Sequence, residues 1–262
     1  MKSSRHLIRA GVLLSACVVA LTSCSSGGNA ANTTGLMTDG ELVVAMSGEF
    51  KPFSHFDNNE LTGFDYDIAV AIAGEMGLTL RTETAAVSSL IQGLQSHRYD
   101  ALIASLSPTD KRKEVVDFTE AYYSSGAQYF VTTDSDCQKF DINSDVKVGV
   151  ANGTTYAEYL SEQGFTGEVV SFESDSIALE DTEAGRLDGT ITDRLVGLYQ
   201  INEAGRDMRP CGDPLYTEGP AIAVAKGSPL KDAIDDALTK IKDDGTYADI
   251  SEKWFGQDIS QP

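Results

Sequence analysis

The stretch SLSPTDKR, Ser105 to Arg112, gathers three hydroxyl side chains and a guanidinium just after the apolar run DALIA. A short apolar run of this kind reads as a buried strand. The hydroxyls then fall at its carboxyl end, where open α/β sheets bind ligands. Ser105 and Ser107 offer hydroxyls and backbone N–H groups, and Arg112 offers a planar fork of donors that suits a carboxylate. On residue types alone, the favoured reading of the stretch is a capped helix start with Lys111, Arg112 and Lys113 in solvent. NGTT, Asn152 to Thr155, is a second place of this kind. It follows the strand-like VKVGVA and opens the amphipathic TTYAEYLSEQG, so the N–H groups of Thr154 and Thr155 favour an anion there. A plain turn and N-cap is the alternative.

Covalent and metal chemistry find little support. His6, His55 and His97 have no companion acid or nucleophile in a motif, and GxSxG, P-loop, HExxH and CxxC patterns are absent. No cofactor and no metal are expected. The net charge of −20 argues against a nucleic-acid partner, which would need clustered cations.

The elements that must position these residues alternate regularly. ELVVAM is a strand, DYDIAVAIAGEMG a helix stopped by Gly77, LTLRTE a strand, SSLIQGLQS a helix and DALIAS a strand. A second series runs from VKVGVA to RLVGLYQINEAG. SPLKDAIDDALTKIKDDG then has Ser228 as N-cap and Leu230, Ile234, Leu238 and Ile241 on one face. Strands alternating with helices predict an α/β fold, mostly parallel sheets covered on both faces. The economical arrangement is two lobes, residues 39–129 and 130–220, with 221–262 returning to the first. The β-type runs 127–133 and 219–225 make the two crossings, and a ligand cleft lies between the lobes.

The first residues carry Lys2, Arg5 and Arg9 and then an uncharged run from Ala10 to Leu21, too short to span a bilayer but suited to a secretory signal. It ends in LTSC, which resembles a bacterial lipobox. That resemblance implies a signal peptide over 1–23, lipidation of Cys24 with a palmitate-type anchor, and a flexible tether over 24–38. An ordinary signal peptide is the alternative. In an exported chain, Cys137 and Cys211 favour a disulfide over two free thiols.

Several segments, in order, resemble the bacterial extracellular solute-binding proteins of the polar amino-acid class, the receptors of ABC importers. They are LTGFDYDIAVAIAGEMG, SSLIQGLQSHRYDALIASLSPTDKRKEVVDF, VGVANGTT, AGRLDGTITD and KDDGTYADISEKWFG. SLSPTDKR is similar to the lysine/arginine/ornithine and histidine receptors. The resemblance implies a two-lobed clamp of the type II periplasmic-binding-protein kind that closes about a hinge. It further implies a monomer with no catalytic residues, an ABC permease as partner, and a place on the outer face of the cell membrane, on the periplasmic side if there is an outer membrane. Position by position, it assigns Arg112, Ser107, Thr154 and Thr155 to the ligand carboxylate, and Asp193 and Ser105 to its amine. Phe50, Ser47, Glu49, Asp65 and Tyr156 surround its side chain. The chain departs from the pattern at Ser47, where cation-binding relatives often carry an acid, and at Val87, where many carry a second aromatic. The implied ligand is a zwitterionic amino acid, with arginine, lysine or ornithine ahead of glutamine. Two other functions share this scaffold: an exported dehydratase, with Glu173 or Glu49 as general acid, and a sensing subunit of a signalling receptor.

Overall fold

A computed structural model describes residues 35–137 and 140–260. The signal segment and Cys24 lie outside the described residues.

The first lobe opens with β1 (Glu41–Met46), buried from Leu42 onward as a near-continuous apolar run should be in the middle of a covered sheet. A small antiparallel flap follows, made of β2 (Glu49–Phe50), β3 (Ser54–Asp57) and β4 (Glu60–Thr62). Then come α1 (Phe64–Glu75), β5 (Thr79–Thr84), α2 (Val87–Gln95), β6 (Ala101–Leu106), α3 (Asp110–Val115) and β7 (Val116–Ala121). The second lobe holds β8 (Ser125–Thr132), β9 (Lys147–Ala151), α4 (Thr155–Glu162), β10 (Glu168–Phe172), α5 (Asp175–Glu183) and β11 (Gly189–Asp193). It ends with α6 (Arg194–Asn202), β12 (Met208–Pro210) and β13 (Tyr216–Glu218). The chain then returns through β14 (Ala221–Ala225), α7 (Leu230–Asp243) and α8 (Thr246–Phe255).

The first sheet has the order β5-β1-β6-β14-β7, and the second runs β10-β9-β11-β8-β12 with β13 also paired to β8. Both are mixed. β14 is antiparallel to both its neighbours, and so is β8 to β11, β12 and β13. The run expected to bridge the lobes is therefore different from the bridge itself. β8 has partners on both sides and is buried from Ser125 to Val131, so all of it belongs to the second sheet. The first crossing lies at residues 122–124, earlier than the boundary at 129, and the second at 219–220. Tyr122 and Tyr123 stand at the first crossing, packed among Phe53, Phe64 and Tyr247.

Helix α7 buries Leu230, Ile234, Leu238 and Ile241 as its spacing predicts. Each such side chain contributes about 1.5–3 kcal/mol of apolar transfer. Cys137 and Cys211 are bonded, tying the segment after β8 to the end of β12 over 74 residues. In the chain-entropy picture, closing that loop is worth about 4 kcal/mol.

Candidate ligand-binding cleft

Strand β6 delivers Ser105 to the cleft in a left-handed conformation, φ 53°, which is unusual for a residue with a side chain and common at functional sites. What holds it there is a buried network. The Ser105 N–H donates to the Tyr122 hydroxyl at 3.0 Å, and the Ser105 hydroxyl donates to Asp65 at 3.0 Å. Tyr122 in turn donates to Asp65 at 2.6 Å. Burial pushes the Asp65 carboxyl up to about 7, and these two hydroxyls pull it partly back. With its hydroxyl hydrogen directed at Asp65, Ser105 presents lone pairs to the cleft, an acceptor for an ammonium group. The expected place of Asp65 beside the ligand side chain does not match this arrangement. Its oxygens are used behind Ser105, and it is not part of the cavity wall.

Both readings of SLSPTDKR hold in part. Thr109 caps α3, its side chain accepting from the Arg112 N–H at 3.3 Å, and Lys111 and Lys113 are exposed. Arg112 is different, with only 9% of its surface accessible. Its guanidinium donates to the Ser107 carbonyl at 2.7 Å and, across the cleft, to the Gly153 carbonyl at 2.8 Å. Among the described residues no carboxylate lies within 4.0 Å of it. Burial lowers its pKa, and the charges of Glu158 and Glu218 oppose that shift. The approach of the lobes requires glycine at 153, where φ is 78° and an added Cβ would sit 2.9 Å from the Ser88 Cα.

From the second lobe, Thr154 caps α4, and its hydroxyl donates to the Ala151 carbonyl at 2.7 Å. The neighbouring Thr155 hydroxyl donates to Glu218 at 3.0 Å. Asp193 caps α6. Its Oδ1 accepts from the Ser125 hydroxyl at 2.8 Å and from the N–H groups of Leu195 and Val196 at 2.7 and 3.4 Å. Its Oδ2 is buried without a partner. Burial, with Glu218 adding to it, pushes this carboxyl up to about 7.

A narrow cavity joins the two sides. The first lobe lines it with Ser47, Phe50, Val87, Ser105, Ser107 and Arg112, and the second with Thr154, Thr155, Tyr156, Asp175 and Glu218. Phe50 stacks on Phe53 at 5.3 Å. Asp193 lies outside this wall, as does Glu49, which is exposed in an outer groove alongside Glu173. Two wall residues escaped the sequence reading. Asp175 looks like an ordinary acid at a helix start, and its signal was only its place after the strand EVVSF. Glu218 ends β13, and it is half-buried among Ser107 and Arg112 of the first lobe and Thr155 and Tyr156 of the second, residues far from it in the chain. Burial raises the pKa of both carboxyls, that of Asp175 to about 6.

Residues 42–257 match the bacterial extracellular solute-binding proteins, family 3. The chain belongs to this family. As a family 3 solute-binding protein it has the type II periplasmic-binding-protein fold, α/β and two-lobed, and it is extracytoplasmic. It is 30% identical over 226 residues to the L-cystine-binding protein TcyJ of Escherichia coli (strain K12), covering 85% of each chain. It is 32% identical over 231 residues to ABC transporter arginine-binding protein 1 of the same strain, covering 86% of this chain and 95% of the relative. The structure superposes with a TM-score of 0.77 on an ancestral arginine-binding protein bound to arginine, at 34% identity over 83% of this chain and 99% of the other. An ancestral amino acid-binding protein, a precursor of cyclohexadienyl dehydratase, gives a TM-score of 0.77 at 32% identity over 82% of this chain and 96% of the other. Among the described residues, no helix of this family 3 protein is long and apolar enough to cross a membrane.

Proposed function

We propose that this protein captures a polar α-amino acid between its lobes and presents the closed form to an ABC permease. Arginine, lysine or ornithine stand ahead of glutamine. One observation carries the reading. A buried guanidinium with no carboxylate partner, Arg112, belongs to the first lobe, and a buried carboxyl with an unpartnered oxygen, Asp193, belongs to the second. An α-amino acid carries the two complementary charges on one carbon.

The ligand docks first on Arg112, Ser107, Ser105 and Phe50. Its ammonium is then taken by Asp193 and the lone pairs of Ser105, and its carboxylate gains Thr154 and Thr155 at the start of α4. Closure is the signal the permease reads. The lipobox-like LTSC, followed by the uncharged SSGGNAANTTG, supports an anchor at Cys24 with the receptor as a monomer on a tether.

The test is a thermal-shift screen of the chain beginning after Cys24, with the twenty amino acids, ornithine, citrulline and cystine. A ligand at a hundred times its Kd adds about 2.7 kcal/mol. For a chain of this size that is roughly 5–10 °C. The expected result is a shift of that size with a cationic amino acid, and no shift with any of them would refute the reading. A second reading, an exported dehydratase, draws on the raised carboxyls of Asp175 and Glu218 in a closed cavity, the setting a general acid needs. Turnover of a carboxylated cyclohexadienyl substrate, with no shift by amino acids, would establish it instead.

A further inference from the structure

An acid that selects a cationic side chain was expected on the first lobe, at Glu49 or Asp65. The structure removes both from that duty. Glu49 is exposed in the outer groove, and Asp65 is consumed behind Ser105.

The inner cavity and the outer groove share four wall residues: Ser47, Phe50 and Val87 from the first lobe and Asp175 from the second. These four mark the junction through which a side chain extending from the Arg112 end must pass. Ser47 and Val87 are small there and Phe50 presents a flat ring. Asp175 is the one charged group of the four. Only 4% of its surface is accessible; the nearby Thr192 hydroxyl draws its raised pKa partly back, yet among the described residues its Oδ1 has no hydrogen-bond partner within 3.5 Å. A buried carboxylate oxygen left unpaired is costly, and a donor from outside the protein relieves it.

Its position at the start of α5 does not account for this. An acid in a first helical turn serves the helix dipole from the surface without being buried, whereas this one is enclosed in the cleft wall. The wider charge pattern agrees. The cavity and its surroundings set one guanidinium against the carboxyls of Asp175, Asp193 and Glu218. A ligand with a neutral side chain leaves that excess of negative charge standing, and a guanidinium or ammonium on the side chain reduces it.

We infer that Asp175, from the second lobe, is the specificity-determining residue that receives the cationic end of the ligand side chain. The inference rests on the reading of the protein as an amino-acid receptor. It also moves the selecting acid from the first lobe to the second, so that charge recognition is completed only when the lobes meet.

The experiment is calorimetric titration of wild type, Asp175→Asn and Asp175→Ser with two cationic ligands, arginine and lysine, and two neutral ones, citrulline and glutamine. Serine at 175 remains compatible with a helix start, so the second variant guards against a folding defect in the first. Wild type is expected to favour its better cationic ligand over citrulline by at least about tenfold, and both variants to lose that preference by weakening the cation while leaving citrulline within about threefold, the pattern of one removed charge pair. The inference is overturned if either folded variant keeps the wild-type preference, if cation and citrulline weaken together, or if wild type prefers a neutral ligand. Absence of heat with every amino acid on wild type is a separate result, which removes the receptor reading and this inference with it.

Discussion

The two lobes meet the cleft in opposite conditions. The first satisfies its buried cleft carboxyl internally: Asp65 is held by Tyr122 and Ser105, and the strained Ser105 is fixed by the same network. The second leaves two buried carboxyl oxygens unpaired, on Asp193 and on Asp175. A polar group already satisfied gains little from a ligand, whereas an unpaired buried one gains the full relief of its desolvation. Toward a cationic group the first lobe is therefore already satisfied, its Arg112 being left for a carboxylate, and the second is the lobe that gains most when such a group arrives. In the proposed function, that difference would drive closure, since a ligand shifts an equilibrium only by its differential affinity for the two states.

The largest expected effect breaks the dock. Arg112→Ala leaves the ligand carboxylate unpaired in a desolvated cleft and should cost about 2–5 kcal/mol of binding, as for other truncated buried charge pairs. Near-normal affinity by calorimetry would show that the carboxylate goes elsewhere.

Asp193→Asn separates the two tasks of one side chain. The amide oxygen can still cap α6, whose Leu195 and Val196 N–H groups donate to Oδ1 alone, but the charge proposed to receive the ammonium is gone. Affinity should fall by about ten- to a hundredfold, while the ligand-free protein at pH 8 melts no lower than wild type, because a buried charge has been removed. A lower melting point with intact affinity would leave Asp193 a cap and nothing more.

The smallest effect is titration. Asp193 is pushed up to about 7 and Asp175 to about 6, from an ordinary value of 3.8. Between those values the folded protein holds more protons than the unfolded chain, so the stability of the ligand-free form rises as pH falls from 8 toward 5. A cationic ligand needs both carboxyls ionised, so its stabilising shift should shrink over the same window. Melting curves with and without ligand at pH 8 and pH 5 measure both trends, and a ligand shift of equal size at the two pH values would contradict the contrast between lobes.

The regular parts of this arrangement are legible in the sequence, because their causes are local. The apolar face of α7, the run of β1 and the start of α4 each follow from neighbouring residues. Arg112 and Asp193 are legible through motifs, although burial of the arginine beside two solvated lysines is a property of the closed cleft and not of the tripeptide. Asp65 was misplaced because its position at the start of α1 shows that it lies near the cleft but not that Ser105 stands in front of it. Asp175 and Glu218 were missed for a related reason. Each acquires its environment from segments distant in the chain: the first lobe across the junction for Asp175, and Ser107, Arg112, Thr155 and Tyr156 for Glu218.

The place of β14 has a consequence for the order in which the protein can be built. Every strand of the second sheet lies between Ser125 and Glu218, so that lobe has all its strands before the last forty or so residues have emerged. The first sheet cannot close at that stage. β14 stands between β6 and β7, and until Ala221–Ala225 arrives those strands lack their shared partner. Lobes of this kind fold as units as the chain emerges, so the lobe synthesised first is the one completed last, and loss of the C-terminal segment would open the first sheet at an interior strand.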